Sequence, residues 1–360
     1  MTFVDNLAPD PRCVALARQL RSAFNASAQV QAAAGGRPLR AYVALENWHA
    51  NALTAAIEER YPDMAEERVA VPDRHFERRE DDAPCLLHLP QGWADSCVDP
   101  ALAALVGNDL PEWLAQAWLQ AEQRQIRQPL CGILFSDSTA VAIAAHWADL
   151  GDQLSPVDSS ERLFRYQDPR VMQRAWPVLS AVQRQQWLGP VRRWWAIEQP
   201  WRPWSLADLT QQDVLPTARE PEWFQASANP GGTGALPLTS AVGRLRFDLA
   251  QWQAAHSTPS GHRIWARFAG EDVPADRQPD GAAMSRLLAQ GQRLGLSDDN
   301  LEDFVDITWR AADPGGNREA FWQSSRGAEL LARILEMLRG QPDARFGTLY
   351  AEAQLAKQER

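Results

Sequence analysis

The sequence predicts an α/β N-terminal lobe, a mixed or mainly parallel sheet flanked by helices, followed by an all-α C-terminal lobe. Two observations carry this. Up to about residue 200, short apolar runs alternate with segments of helical spacing, the pattern of strands interleaved with helices. Beyond it, turn-rich tracts and helical spacing replace the strand-like runs. A chain of 360 residues with 45% hydrophobic content has material for two globular lobes. The expected divisions are an N-terminal helix (1–37), an α/β domain (38–204), a loop-rich connecting region with a helix (205–282) and a helical lobe (283–360).

Cys13, Leu16, Leu20 and Phe24 recur at helical spacing, and Gly35-Gly36 ends that helix. "RAYVALEN" (40–47) reads as a strand and "HANALTAAIEERYP" as a helix ending before Pro62. "CLLHLP" (85–90) is a second buried strand. "PEWLAQAWLQAEQRQIR" (111–127) is a helix with Pro111 in its first turn. "CGILF" (131–135) is a third strand, followed by a helix opened by Ser and Asp caps in "SDSTAVAIAAHWADL". "RLFRYQ" (162–167) reads as a fourth strand, and 169–179 as the next helix. Later, "SANPGGTGALP" (227–237), "STPSGH" and "GEDVPADRQPDG" signal loops. In "GLSDDNLEDFV" (295–305), Gly295 suits a left-handed helix end, Ser297 a cap, and Leu296 and Leu301 a hydrophobic staple. In "AELLARILEMLRG", Leu330, Leu331, Ile334, Leu335 and Leu338 share one face, with Gly340 as the stop.

The net charge of −10 gives nothing that would draw the whole molecule to nucleic acid or an anionic membrane. Lys357 is the only lysine among 36 basic residues. That skew fits either Arg–carboxylate forks and stacking on aromatics or a GC-rich genome. Cysteines 13, 85, 97 and 131 show neither a metal-binding nor a disulfide spacing. "MTFVDNLAPDPR" carries no leader signal and no run is long enough to span a bilayer, so a cytoplasmic protein without membrane insertion is expected.

Catalytic signatures are absent: no phosphate-binding loop, nucleophile elbow or zinc helix occurs. The six histidines, at 49, 75, 88, 146, 256 and 262, do not pair at metal spacing, so neither a metal nor a cofactor is expected. Ser136, Asp137 and Ser138 fall where a strand hands over to a helix, the edge at which α/β enzymes gather ligands. The alternative to a non-enzymatic protein is therefore a hydrolase or transferase using Ser136, Ser138 or His88, although capping accounts for the serines without chemistry.

"LFRYQDPRV" raises a sharper question. Asp168 is a preferred N-cap and Pro169 suits the first helical position. Arg170 is not needed for a cap and sits where the helix dipole disfavours a cation, so a carboxylate, a carbonyl or a partner must offset it. Arg165 raises the same question. From Arg162 to Arg202 there are eight arginines against Asp168 and Glu198, a local charge of +6. Trp187, Trp194, Trp195, Trp201 and Trp204 are interleaved with them. Arg and Trp dominate protein–protein hot spots and also stack on single-stranded nucleic acid, which the global acidity argues against. A partner-binding surface of Arg165, Arg170, Trp187, Arg192, Arg193, Trp194, Trp195, Trp201 and Trp204 is expected, against the alternative of Trp as core filler and Arg on a solvated face.

These residues carry a resemblance. Arg165, Tyr166, Asp168, Pro169, Arg170 and Val171, then Gly189-Pro190, then Trp194-Trp195, form an ordered series. It resembles the signature of the type VI secretion effector-chaperone, or adaptor, family known as Tap or TEC. "RAYVALEN" and "APCLLHLP" resemble that family's strands, with Cys85 where an aromatic is common. The likeness covers roughly 38–200, and "LLAQGQRLGLSDDNLEDFV" is similar to a helical tail that many members carry. What it implies is a non-enzymatic bacterial cytosolic adaptor that holds a cognate secreted effector and helps load it onto the VgrG spike. No residue-level binding map comes with it.

Overall fold

The computed structural model describes residues 9–47, 51–95, 99–123, 128–157, 159–205, 220–227, 244–311, 318–341 and 343–358. The chain forms two compact units, Met1–Pro200 with Gln212–Ala255, and Trp201–Gln211 with His256–Arg360.

The first unit begins with α1 (Pro11–Ala33), capped by the Asp10 carboxylate on the Arg12 N–H. Its sheet has the order β2-β3-β1-β4-β7-β8, where β1 is Arg40–Leu45, β2 Val69–Ala70, β3 Cys85–His88, β4 Leu130–Ser136, β7 Val191–Ile197 and β8 Trp223–Ser227. A separate hairpin pairs β5 (Asp152–Leu154) with β6 (Glu161–Leu163), and α2 (Ala52–Arg60) and α3 (Pro62–Glu66) lie between β1 and β2 in the chain. An α/β lobe followed by a helical one is what the alternation in the sequence implies.

The direction of pairing, however, is antiparallel at every neighbouring pair of strands. β3 and β4 are both antiparallel to β1 and so run the same way, joined through α4 (Pro100–Ala104) and α5 (Leu110–Gln123). This is a crossover that straddles an opposed strand, a split β-α-β arrangement. Strand–helix alternation sets the crossover but not what fills the place between its strands.

Successive residues of a strand point to opposite faces, and here both faces are covered. Tyr42, Ala44, Leu134, Trp194 and Ala196 join one core with α6 (Ala140–Leu150), α7 (Pro169–Ala175) and α8 (Ala181–Leu188). Ala41, Val43, Ile133, Phe135, Trp195 and Ile197 join the other with α1 and α5. Two-sided burial explains why β1 and β4 read as continuous apolar runs.

The expected fourth strand over 162–167 does not form as such. Only Glu161–Leu163 pairs, in the hairpin, and Phe164–Gln167 form a tight loop in which Tyr166 N–H donates to Phe164 O at 2.9 Å. Phe164 and Tyr166 are both buried, which mimics the alternation of a strand. The strand that does enter the sheet there is β7, "VRRWWAI", whose Arg/Trp content suits a binding face as well as a core strand. The cap of α6 is Thr139, not Ser136 or Asp137.

In the second unit "STPSGH" is not a loop but lies within α9 (Leu249–Gly270), a helix whose residues from His256 onward belong to this unit. Local breakers yield here to packing. A Cβ on Gly261 would come within 2.3 Å of the Trp201 ring, so the missing side chain admits the indole. α10 (Gly281–Arg293), α11 (Asp298–Ala311), α12 (Ser325–Gly340) and α13 (Phe346–Gln358) complete it. Trp265, Phe268, Leu287, Phe304, Trp322 and Phe346 fill its core. Gly295 takes φ +81 at the end of α10, and Leu296 and Leu301 both join that core. On α12 only Ile334 of the five expected apolar residues is fully buried, the leucines lying at the rim. Buried Glu302 and Asp303 receive Arg263, Arg267 and Arg345. Most of "SANPGGTGALP", together with 206–219, 124–127, His49 and Cys97, lies outside the described residues. Among the described residues no helix is long and apolar enough to cross a membrane.

Candidate functional site

At the end of β1 the chain places Glu46 directly after an apolar strand, and the loop before α7 closes over it. Arg165 donates to the Glu46 carboxylate at 3.0 Å, and the Gln167 amide donates to the same oxygen at 2.9 Å. Asp168 caps α7 by accepting from the Arg170 N–H at 3.0 Å. The same carboxylate holds the Arg170 guanidinium in a fork of 2.9 and 2.6 Å, and Arg165 lies 3.6 Å away. Asp168 and Arg170 are each 3% exposed. Burial pushes the Asp168 carboxyl up, but Arg170 and Arg165 outweigh it and hold the group well below the ordinary carboxylate range. The offset that Arg170 needs thus comes from the residue two positions before it.

"RYQDPR" is therefore an internal clamp that ties a loop and a helix start to the end of β1. Arg170 is corrected from partner contact to buried structural charge, and Arg165, with 22% of its side chain exposed, is largely engaged as well. Glu46 and Gln167 are the members that sequence reasoning missed. The available signal was a carboxylate ending an otherwise apolar strand, "VALEN".

The expected Arg/Trp surface does not form as a block. Trp187 and Trp194 lie fully inside the core on one face of the sheet, and Trp195 in the core on the other. Trp194 stacks on Trp147 and donates to Cys131 O at 3.1 Å. Trp201 and Trp204 belong to the second unit: Trp201 is half-buried and donates to Gly281 O at 2.8 Å, and Trp204 is buried. The physical reason is period two: adjacent tryptophans on a strand covered on both sides must enter separate cores. Arg192 is paired with the largely buried Asp137 at 2.9 Å, and Arg193 faces solvent. Burial pushes the Asp137 carboxyl up, and Arg192 with Gln31 more than offsets it.

The opposite end of the sheet holds the serines. Ser136 Oγ donates to Pro190 O at 2.7 Å and accepts from the Ser138 N–H at 3.0 Å. His88 bonds Glu67 at 3.1 Å and sits on β3, with β1 between it and β4, two strand spacings of roughly 4.8 Å each. His146 bonds Trp187 O at 3.0 Å, and burial holds its imidazole below the ordinary value. Among the described residues no base is bonded to the Ser136 hydroxyl, whose partners are Pro190 O and the Ser138 N–H. Gly189 and Pro190 form the turn from α8 into β7. Gly189 has φ +53, and a Cβ there would meet the His146 ring at 2.3 Å.

Residues 41–186 match the family model described as Domain of unknown function (DUF4123). The DUF4123 match starts in β1 and stops in α8, so it contains Glu46 and the whole 165–170 clamp. It leaves β7, β8 and the second unit outside. Comparison with the curated proteins and with the solved structures gives no match.

Proposed function

We propose that this protein is a cytoplasmic adaptor that binds a cognate type VI secretion effector and helps load it onto the VgrG spike. The observation that carries the reading is the DUF4123 match over 41–186, which covers the Arg165–Val171 part of the ordered series on which the adaptor resemblance rests, Gly189-Pro190 and Trp194-Trp195 lying beyond its end. The geometry supports it in one respect. The motif's charges are turned inward on one another, as suits a scaffold element, rather than converging on a cleft where a substrate would react.

The test is co-purification of the tagged chain with the spike and effector products encoded beside its gene. The expected outcome is stoichiometric retention of the effector, the spike or both through gel filtration. Retention of neither would overturn the proposal, and catalytic turnover of a small substrate lost on Ser136→Ala would favour the hydrolase alternative.

A further inference from the structure

The N-termini of α8 and α9 lie side by side through an unusual joint. Each opens with a capping box: Ser180 with Gln183, and Asp248 with Gln251. The two box glutamines then bond each other, Gln183 Nε2 to Gln251 Oε1 at 2.7 Å and Gln251 Nε2 to Gln183 Oε1 at 3.0 Å. Gln183 also donates to Arg246 O at 2.8 Å and Gln251 to Val178 O at 3.0 Å. All of these residues belong to the first unit.

This rigid polar seam carries apolar side chains on its outside. Val182 is 64%, Val178 48% and Leu249 42% exposed. Pro177, Ala181 and Ala250 are exposed beside them. Scattered single exposed valines need no explanation, but exposed apolar residues carried on two helix starts that hydrogen bonds hold together have the form of an interaction surface. Its rim is basic. The Arg184 guanidinium donates to Trp176 O and Pro177 O, and Arg246 faces solvent. The nearby carboxylate, Asp248, accepts from the Gln251 N–H as a helix cap and offsets the positive pole of α9, whereas the neutral Ser180–Gln183 box leaves the positive pole of α8 presented.

We infer that this seam is a docking surface for an apolar helix flanked by carboxylates, supplied by a protein partner. The inference rests on the adaptor reading for its biological setting. The valines and leucine provide the apolar contact, and Arg184, Arg246 and the α8 dipole select for acidic flanks. The pre-ordered glutamine joint keeps the entropy cost of docking low.

The probe is a fluorescently labelled synthetic helix of about 18 residues, Leu at i, i+3, i+4 and i+7 and Glu elsewhere, with a second peptide in which Lys replaces Glu. Fluorescence polarisation on the full chain should show the Glu peptide binding at least about tenfold tighter than the Lys peptide. The double variant Val178→Glu/Val182→Glu should lose at least about tenfold, while Val141→Glu, at another exposed valine, should not. Circular dichroism confirms that the variants fold. No binding of the Glu peptide, equal binding of the Lys peptide, or undiminished binding by the double variant would each overturn the inference. Binding only after residues 228–243 are replaced by a short linker would also overturn it, by assigning the surface to the chain's own segment. The double variant is then taken through the effector and spike co-purification. If it retains partners as wild type does, the seam is not the adaptor's contact. If wild type retains none, the adaptor reading fails while the peptide result still judges the seam.

Discussion

Asp168→Asn tests the central structural claim most directly. Asn caps a helix about as well as Asp, so the substitution keeps the cap and removes only the charge. What remains is Arg170, 3% exposed, without the carboxylate that holds it by a fork of 2.9 and 2.6 Å, and Arg165, which loses its 3.6 Å neighbour. Breaking a buried pair from one side costs about 3–5 kcal/mol, because the surviving charge stays desolvated. For a unit of this size that lowers Tm by roughly 6–20 °C. Asp168→Ala should cost about 1 kcal/mol more, through the lost cap. Urea unfolding followed by tryptophan emission reads these values, since Trp147, Trp187 and Trp194 lie in the same core as α7. Replacing Arg170 by Leu in the Asn background should restore a large part of the loss, as the buried cation disappears. A pH series supplies the sign. Asp168 is held below its ordinary value, so its contribution is fully present above about pH 4 and is lost as the pH falls through the depressed folded value. The Asn variant should lack that acid limb. A loss under about 1 kcal/mol with no rescue by Leu would refute the clamp and return these residues to the candidate surface.

Other perturbations discriminate equally well. Charge reversal separates neighbours: Arg193→Glu, at an exposed position, should stay within about 0.5 kcal/mol of wild type, whereas Arg192→Glu sets a carboxylate against the largely buried Asp137 and should cost about 2–4 kcal/mol by chemical denaturation. Equal effects at the two sites would contradict the pairing. Gly132 has φ +146, and a Cβ there would meet the Trp195 carbonyl at 2.4 Å, so Gly132→Ala should cost about 3 kcal/mol or more or abolish soluble expression. In the second unit, Gly281→Ala places a Cβ 2.2 Å from the Trp201 carbonyl and should lower the melting temperature of that unit, read by calorimetry. His146 is kept neutral by burial, so its contribution is full above its unfolded value of 6.5 and declines as the pH falls below it. A stability series from pH 7 to 5 should slope for wild type and flatten for His146→Gln.

Several local features were legible because their causes are local. Asp168 and Pro169 announce a helix start, and the structure has Asp168 as the cap of α7 and Pro169 as its first residue. Gly295, Leu296 and Leu301 mark a helix junction by backbone and neighbour chemistry alone. The surface tract was not legible in the same way. Arg and Trp are as suited to a core strand with paired charges as to a binding face, and residue type does not distinguish the two. The neighbouring Trp194 and Trp195 illustrate this, since one strand sends them into different cores. The apolar seam over Gln183 and Gln251 was invisible for a related reason: its halves lie some seventy positions apart and are joined by hydrogen bonds that span 63 to 73 residues of sequence.

By itself the sequence determined three strands of the first half, β1, β3 and β4, with the helices α5, α6 and α7, the helical character of the second half, and Gly295, Asp168 and Pro169 as positions that end or open helices. These follow from spacing, capping and allowed dihedral angles within a few residues. Only the tertiary structure decided the antiparallel order of the sheet, the partner of Arg165 across 119 positions at Glu46, and the inward destination of the tryptophans. Each of those depends on which distant segments exclude water together. A buried guanidinium takes whatever carboxylate the fold brings within reach, and nothing in the residues beside it names that carboxylate in advance.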